Sequence, residues 1–311
     1  MNTVILGGSG FMGSSLAKRF SQQGEQVITV SRSPMQSFSA SHRHYDITLD
    51  DRRALASLVS DADFVFHLAS DTTPGSSRLQ PGLEVSNNLL PMAGLLECLQ
   101  ENPGATLVYV SSGGAIYDTT PAIASTATTL GESSPTAPPS YYGAGKLAAE
   151  ALIHAYHQQT RQTVVILRPS NVYGPGQRAK TQFGIIPTLC QCLQERKPFT
   201  IWGDGSAVRD YVYVDDFLAL CEAVTQHAWA NTDFQTLNAG TGTGCSIVQL
   251  CELLEDIANV PLERDFQAPR GVDTGQVILD SLRAQELLGW RAGTPLKEGL
   301  KQTWQWYQRQ A

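Results

Sequence analysis

Asn2-Thr3-Val4-Ile5-Leu6-Gly7-Gly8-Ser9-Gly10-Phe11-Met12-Gly13-Ser14-Ser15-Leu16-Ala17 is the stretch that decides how the rest of the chain reads. Val4-Ile5-Leu6 is an apolar run that suits a buried strand. It passes directly into glycines at 7, 10 and 13, and Ser14–Gln23 beyond them has helical character. Gly7 and Gly10 permit a tight turn and close approach of the backbone to a ligand, and Gly13 lets the helix pack on the strand. The helix start offers unpaired N–H groups and the positive end of a dipole. A pyrophosphate is the group this arrangement suits, so GxxGxxG between a strand and a helix points to a dinucleotide.

The pattern repeats downstream. Val27–Val30, Phe64–Leu68, Leu107–Val110 and Val164–Leu167 read as buried parallel strands, with Arg53–Val59, Leu89–Gln100 and Lys146–Gln159 as helices between them. This predicts an α/β fold, a doubly wound parallel Rossmann sheet with a smaller C-terminal α/β lobe. Gly24 falls where a helix-stopping glycine is expected. Asp118–Pro139, rich in Thr, Ser, Ala and Pro, reads as a long loop, and Leu296–Gln308 as an amphipathic last helix. The expected division gives residues 1–173 plus about 208–226 to the dinucleotide-binding domain. About 174–207 and 227–311 go to the other lobe.

The 311 residues are 42% apolar and 16% charged, a globular composition long enough for a sizeable core. A net charge of −7 argues against nucleic acid held through a general basic surface. No apolar run approaches membrane-helix length and no leader is visible at Met1–Leu6, so neither a membrane partner nor export is expected. The six cysteines show no CxxC spacing, which predicts reduced thiols in a cytoplasmic protein and no metal site.

Two further sites carry chemistry. At the end of the second strand a carboxylate commonly holds the adenosine ribose; here Ser31 and Arg32 stand there. Ser31 does not repel a 2′-phosphate and Arg32 can pair with one, which leans to NADP. Arg32 stacked on adenine with NAD is the open alternative. Tyr142-Gly143-Ala144-Gly145-Lys146 is YxxxK, and its spacing puts phenol and ammonium on one helix face. The ammonium favours the phenolate, so Tyr142 becomes a base for a hydroxyl proton.

With these residues in view, the chain resembles the extended short-chain dehydrogenase/reductases. Among them it is most similar to the UDP-glucose 4-epimerase-like enzymes of the NAD-dependent epimerase/dehydratase family. The likeness is carried by Asp46-Ile47, by Val65-Phe66-His67-Leu68-Ala69, by Asn88 ahead of Leu95-Leu96-Glu97, and by the active-site strand Ser111–Tyr117. It continues through Arg168–Gly176, Gly203-Asp204-Gly205, Arg209-Asp210-Tyr211, Val214-Asp215-Asp216, Pro269-Arg270-Gly271 and Leu287–Trp290. The resemblance implies cofactor contacts from Phe11, Met12, Asp46, Ile47, Leu68, Ala69, Ser70, Asn88, Ser111, Pro169 and Val172. These join Gly7, Gly10, Gly13, Ser31, Arg32, Tyr142 and Lys146. It implies a nucleotide-diphosphate sugar held in a cleft between the lobes by Thr72, Ser112, Asn171, Arg209 and Arg270. It also implies a homodimer built on the helices near 89–100 and 146–159.

The resemblance separates reactions as well. Many relatives carry a hydroxyl where this chain has Gly113; Ser112 is the expected replacement and Ser111 the alternative. Dehydratases, decarboxylases and 3,5-epimerising reductases carry acidic or thiol groups at positions that here are Gly114 and Ala115. The remaining machinery, Tyr142, Lys146, a serine and NAD or NADP, suits 4-epimerisation of a UDP-sugar by transient C4 oxidation. A NADP-dependent keto-sugar reductase and a non-catalytic dinucleotide sensor are the alternatives.

Overall fold

A computed structural model describes residues 1–120, 129–179, 184–230, 232–269 and 275–310. The chain divides into two compact units. The first comprises Met1–Ser112, Ser140–Arg168 and Cys221–Leu237; the second comprises Gly113–Pro139, Pro169–Leu220 and Asn238–Ala311.

In the first unit, β1 (Asn2–Leu6), β2 (Gln26–Ser31), β3 (His42–Asp46), β4 (Phe64–His67), β5 (Thr106–Val110) and β6 (Val164–Pro169) pair in parallel. The sheet order is β6-β5-β4-β1-β2-β3, with Phe234–Ala239 as a seventh strand beside β6. Val4 faces Ile28 on one side and Val65 on the other. Such strands are apolar because helices cover both faces. Leu55, Val59, Met92, Leu95, Leu99 and Ile153 pack with Val4, Leu6, Val65 and Leu107 into one core cluster. Chain order reverses between β1 and β4, and open α/β sheets bind ligands outside the C-terminal ends of the strands at such a point.

Four helices matter to the site: α1 (Phe11–Gln22), α2 (Arg52–Val59), α3 (Leu90–Leu99), which continues a π-helical turn at Val85–Leu89, and α4 (Tyr141–Thr160). Gly24, at φ +84°, follows α1 as expected. Ser140 caps α4, its hydroxyl accepting from Gly143 N at 3.1 Å. β3 was not among the expected strands. Within it only His42 is buried, since Arg43, Tyr45 and Asp46 are exposed.

The second unit is built around Val208–Tyr213. Val208–Tyr213 does not return to the Rossmann sheet. It is the centre of a separate sheet, parallel to Asn171–Tyr173 and Gln276–Val277 and antiparallel to Gly244–Ser246. The helix Val214–Gln226 enters the first unit only from Cys221. The reason lies in contacts that the second unit makes within itself. Asp210, fully buried, accepts from Thr241 Oγ1 at 2.7 Å, Thr241 N at 3.0 Å and Leu279 N at 3.2 Å, all within this unit. The expected active-site strand is likewise shorter than expected. β5 ends at Val110, and Gly113–Ile116 is a helical turn. Residues 121–128 of the expected Asp118–Pro139 loop lie outside the described residues. Among the described residues no helix is long and apolar enough to cross a membrane.

Candidate active site

The glycine loop is shaped by contact. Gly7 sits at φ +88°, and a Cβ there would lie 2.7 Å from Ala69 N. A Cβ at Gly13 would lie 2.2 Å from Gly7 O, so the first turn of α1 presses against the loop. Gly10 is the N-cap, and no side chain caps α1. Its first N–H groups therefore have no side-chain acceptor, and the helix dipole adds positive potential. These features fit a dinucleotide pyrophosphate. Phe11 and Met12 are half-buried at the helix start, and Leu68, Ala69 and Ser70 leave β4 at the same edge of the sheet.

The residues expected at the adenosine end sit on and just after β2 and β3. Ser31 pairs in register with Asp46, and its hydroxyl donates to Ser33 O at 3.0 Å. Ile47, partly buried, packs on the core. Arg32 is engaged: its Nη1 donates to Asp71 Oδ2 at 3.0 Å, and Asn87 Nδ2 donates to the same oxygen at 3.0 Å. The cation read from sequence as a 2′-phosphate partner thus already has a carboxylate beside it.

Asn88 is a staple. Its Nδ2 donates to Thr72 Oγ1 and to Glu84 Oε2, each at 2.8 Å, and its Oδ1 accepts from Asp71 N at 3.0 Å. Thr72, expected to face substrate, is buried and occupied by this bond.

Tyr142 and Lys146 lie one turn apart in α4. Lys146 is buried; its Nζ donates to Val110 O at 2.9 Å and lies 5.8 Å from the Tyr142 ring centre and 5.1 Å from that of Tyr109. Burial pulls the ammonium down to about 8, and the carboxylates of Glu84 and Glu150 work against that pull. Burial pushes the Tyr142 phenol up to about 12, with a hydrogen bond from Ser112 acting the other way. Ser111 Oγ is buried and meets no hydrogen-bond partner among the described residues. Of the two serines, Ser112 is the one whose hydrogen bonding acts on the tyrosine.

Several groups here were not singled out from sequence. His67, beneath Lys146, has both ring nitrogens buried without partners among the described residues. Burial, with the charge of Lys146, holds it down to about 3. Glu150 is paired with Arg168, Nη2 to Oε2 at 2.5 Å.

The remaining expected residues lie in the second unit or outside the described residues. Asn171 is exposed, its Nδ2 donating to Asp210 O at 2.9 Å. Arg209 Nη1 donates to Val208 O and Gly275 O at 2.8 and 2.9 Å. Pro169 closes β6, and Val172 pairs with Val212. Arg270 lies outside the described residues.

Residues 3–240 match the profile of the NAD dependent epimerase/dehydratase family. A UDP-glucose 4-epimerase of Mycolicibacterium smegmatis is 29% identical over 322 residues, covering 100% of both chains. The crystal structure of a UDP-glucose 4-epimerase from Thermotoga maritima with UDP-glucose superposes with a TM-score of 0.92 at 28% identity, over 100% of this chain and 99% of that one. The Thermus thermophilus UDP-glucose 4-epimerase complexed with NAD gives 0.89 at 26% identity, over 99% of each chain.

Proposed function

This chain belongs to the NAD dependent epimerase/dehydratase family, and from that premise we propose that it is a nucleotide-sugar epimerase inverting C4 of a UDP-sugar. The observation that carries the reading is the Ser112–Tyr142–Lys146 set at the C-terminal edge of the sheet beside a glycine loop. The similarity to UDP-glucose 4-epimerases supports the substrate class. When bound, the nicotinamide supplies the hydride acceptor and donor and a positive charge. Gly7, Gly10, Phe11, Met12 and Gly13 would hold its pyrophosphate, and Asp46, Ile47, Ser31 and Arg32 its adenosine. Ser112 orients the sugar hydroxyl, Tyr142 takes its proton and later returns it, and Lys146 stabilises the phenolate between the two events. Asn171, Arg209 and Arg270 are proposed for the sugar nucleotide, with guanidinium groups suited to the diphosphate.

NAD is the proposed form of cofactor. The Arg32–Asp71 pair supports it, because Asp71 opposes a 2′-phosphate, and NAD is the cofactor of the Thermus relative. A homodimer is proposed on α3 and α4, each of which leaves an apolar side chain in water: Leu90 is 55% exposed and Leu152 41%. The test is an assay on UDP-glucose and UDP-N-acetylglucosamine with NAD present. Reversible C4 inversion without net cofactor reduction is expected, falling by about 100- to 10,000-fold in Tyr142→Phe. Stoichiometric NADPH oxidation on a 4-keto sugar, without inversion, would instead make the chain a reductase.

A further inference from the structure

Glu84 is 5% exposed. It ends the short helix Gly82–Glu84, immediately before the π-helical turn. One carboxylate oxygen, Oε2, accepts from Asn88 Nδ2 at 2.8 Å. The other, Oε1, is buried and meets no hydrogen-bond partner among the described residues, and no ion pair among them includes Glu84. The carboxylate rests on α4 at Gly145, the residue before Lys146. A Cβ at 145 would lie 2.6 Å from Glu84 Oε2, so the glycine inside YxxxK is what admits the acid. Glu84, Lys146, His67 and Tyr109 line one small cavity of about 10 Å³, the space of one water.

We propose that Glu84 is the positioning residue that keeps Lys146 charged, its unpartnered Oε1 reaching the ammonium across that cavity. Lys146 has three donors, and Val110 O occupies one. The groups facing it fall into two kinds. Tyr142 on α4, Tyr109 on β5 and His67 on β4 are neutral near pH 7 and give it no counter-charge. Glu150 on α4 is negative, but Arg168 on β6 is closed onto it. Glu84 is left as the acid whose charge no cation among the described residues matches. A buried ammonium against no carboxylate would lose its proton near neutrality, and Tyr142 would then lose its support. The inference rests on the epimerase reading only where turnover is measured.

The test is Glu84→Gln, which keeps the acceptor for Asn88 and removes the charge. Lysines labelled with ¹³C at Cε are titrated by NMR, Lys146 being the signal lost in Lys146→Met. Its midpoint should fall by about one pH unit or more in Glu84→Gln; an unchanged midpoint overturns the proposal. The alkaline limb of kcat for C4 inversion should move down with it, while KM for the sugar nucleotide stays. If inversion is absent from the parent protein, the functional reading fails and the NMR arm still decides this one. Should Glu84→Gln alone not fold, Lys146→Met supplies a second arm. That variant strands a buried carboxylate, so adding Glu84→Gln to it should raise Tm. A further fall in Tm would overturn the proposal.

Discussion

Arg168 closes on Glu150 inside the first unit, Nη2 to Oε2 at 2.5 Å and Nε to Oε1 at 3.1 Å, with side chains only 9% and 7% exposed. The pair ties the end of β6 to the middle of α4, one turn beyond Lys146. Desolvation makes such a pair a modest net stabiliser, but removing one partner leaves a buried charge. Glu150→Ala should therefore lower unfolding free energy by about 3–5 kcal/mol. Urea denaturation should show a lower midpoint at unchanged slope. A loss below ~1 kcal/mol would mean that water reaches Arg168.

The two serines after β5 can be told apart. Hydrogen bonding by Ser112 acts to lower the Tyr142 phenol, whereas the Ser111 hydroxyl is buried without a partner among the described residues. Ser112→Ala should reduce kcat by about tenfold or more, on the scale of a hydrogen bond to a developing charge. Ser111→Ala removes an orphaned hydroxyl and should leave turnover and stability within about 0.5 kcal/mol of the parent. Reversed outcomes would give Ser111 the role assigned to Ser112.

The proposed preference for NAD rests on the Arg32–Asp71 pair. Asp71 sits against the guanidinium that a 2′-phosphate would otherwise use. Asp71→Asn should shift the NADP-to-NAD affinity ratio toward NADP by about fivefold, since an exposed ion pair contributes ~1 kcal/mol or less. Calorimetry with each dinucleotide measures the ratio. If it does not change, Arg32 lies away from the adenosine.

What was legible in the sequence follows from what is local. The strand–glycine–helix unit at Val4–Gly13 and the Tyr142–Lys146 spacing are contiguous, so periodicity and steric need reveal them. Val208–Tyr213 shows the limit. Its apolar character marks a strand, but nothing in it names a partner, and Asp210, Thr241 and Leu279 fix its sheet through contacts distant in sequence. Glu84 and His67 were invisible as site residues for the same reason. Each is one polar residue in an ordinary segment, and only the fold brings it to Lys146. Arg32 was legible as a cation but not as a paired one, because Asp71 is supplied by the turn after β4.

His67 predicts how the protein fails in acid. Burial and the neighbouring Lys146 charge hold its folded-state value down to about 3, against 6.5 for an ordinary histidine. The unfolded chain therefore takes up a proton first as pH falls, so stability is full above about 6.5 and drains away toward 3. At the low limit the loss from this one group is roughly 4–5 kcal/mol. His67→Leu removes the titrating ring and both orphaned nitrogens while keeping an apolar side chain against Tyr109, whose ring centre is 5.7 Å away. Thermal melts of parent and variant between pH 7 and pH 4 should diverge, the parent losing Tm more steeply as the acid limit is approached. Parallel curves would mean that the ring gains a proton in the folded protein, with Glu84 as the acid in the same cavity that would accept its charge.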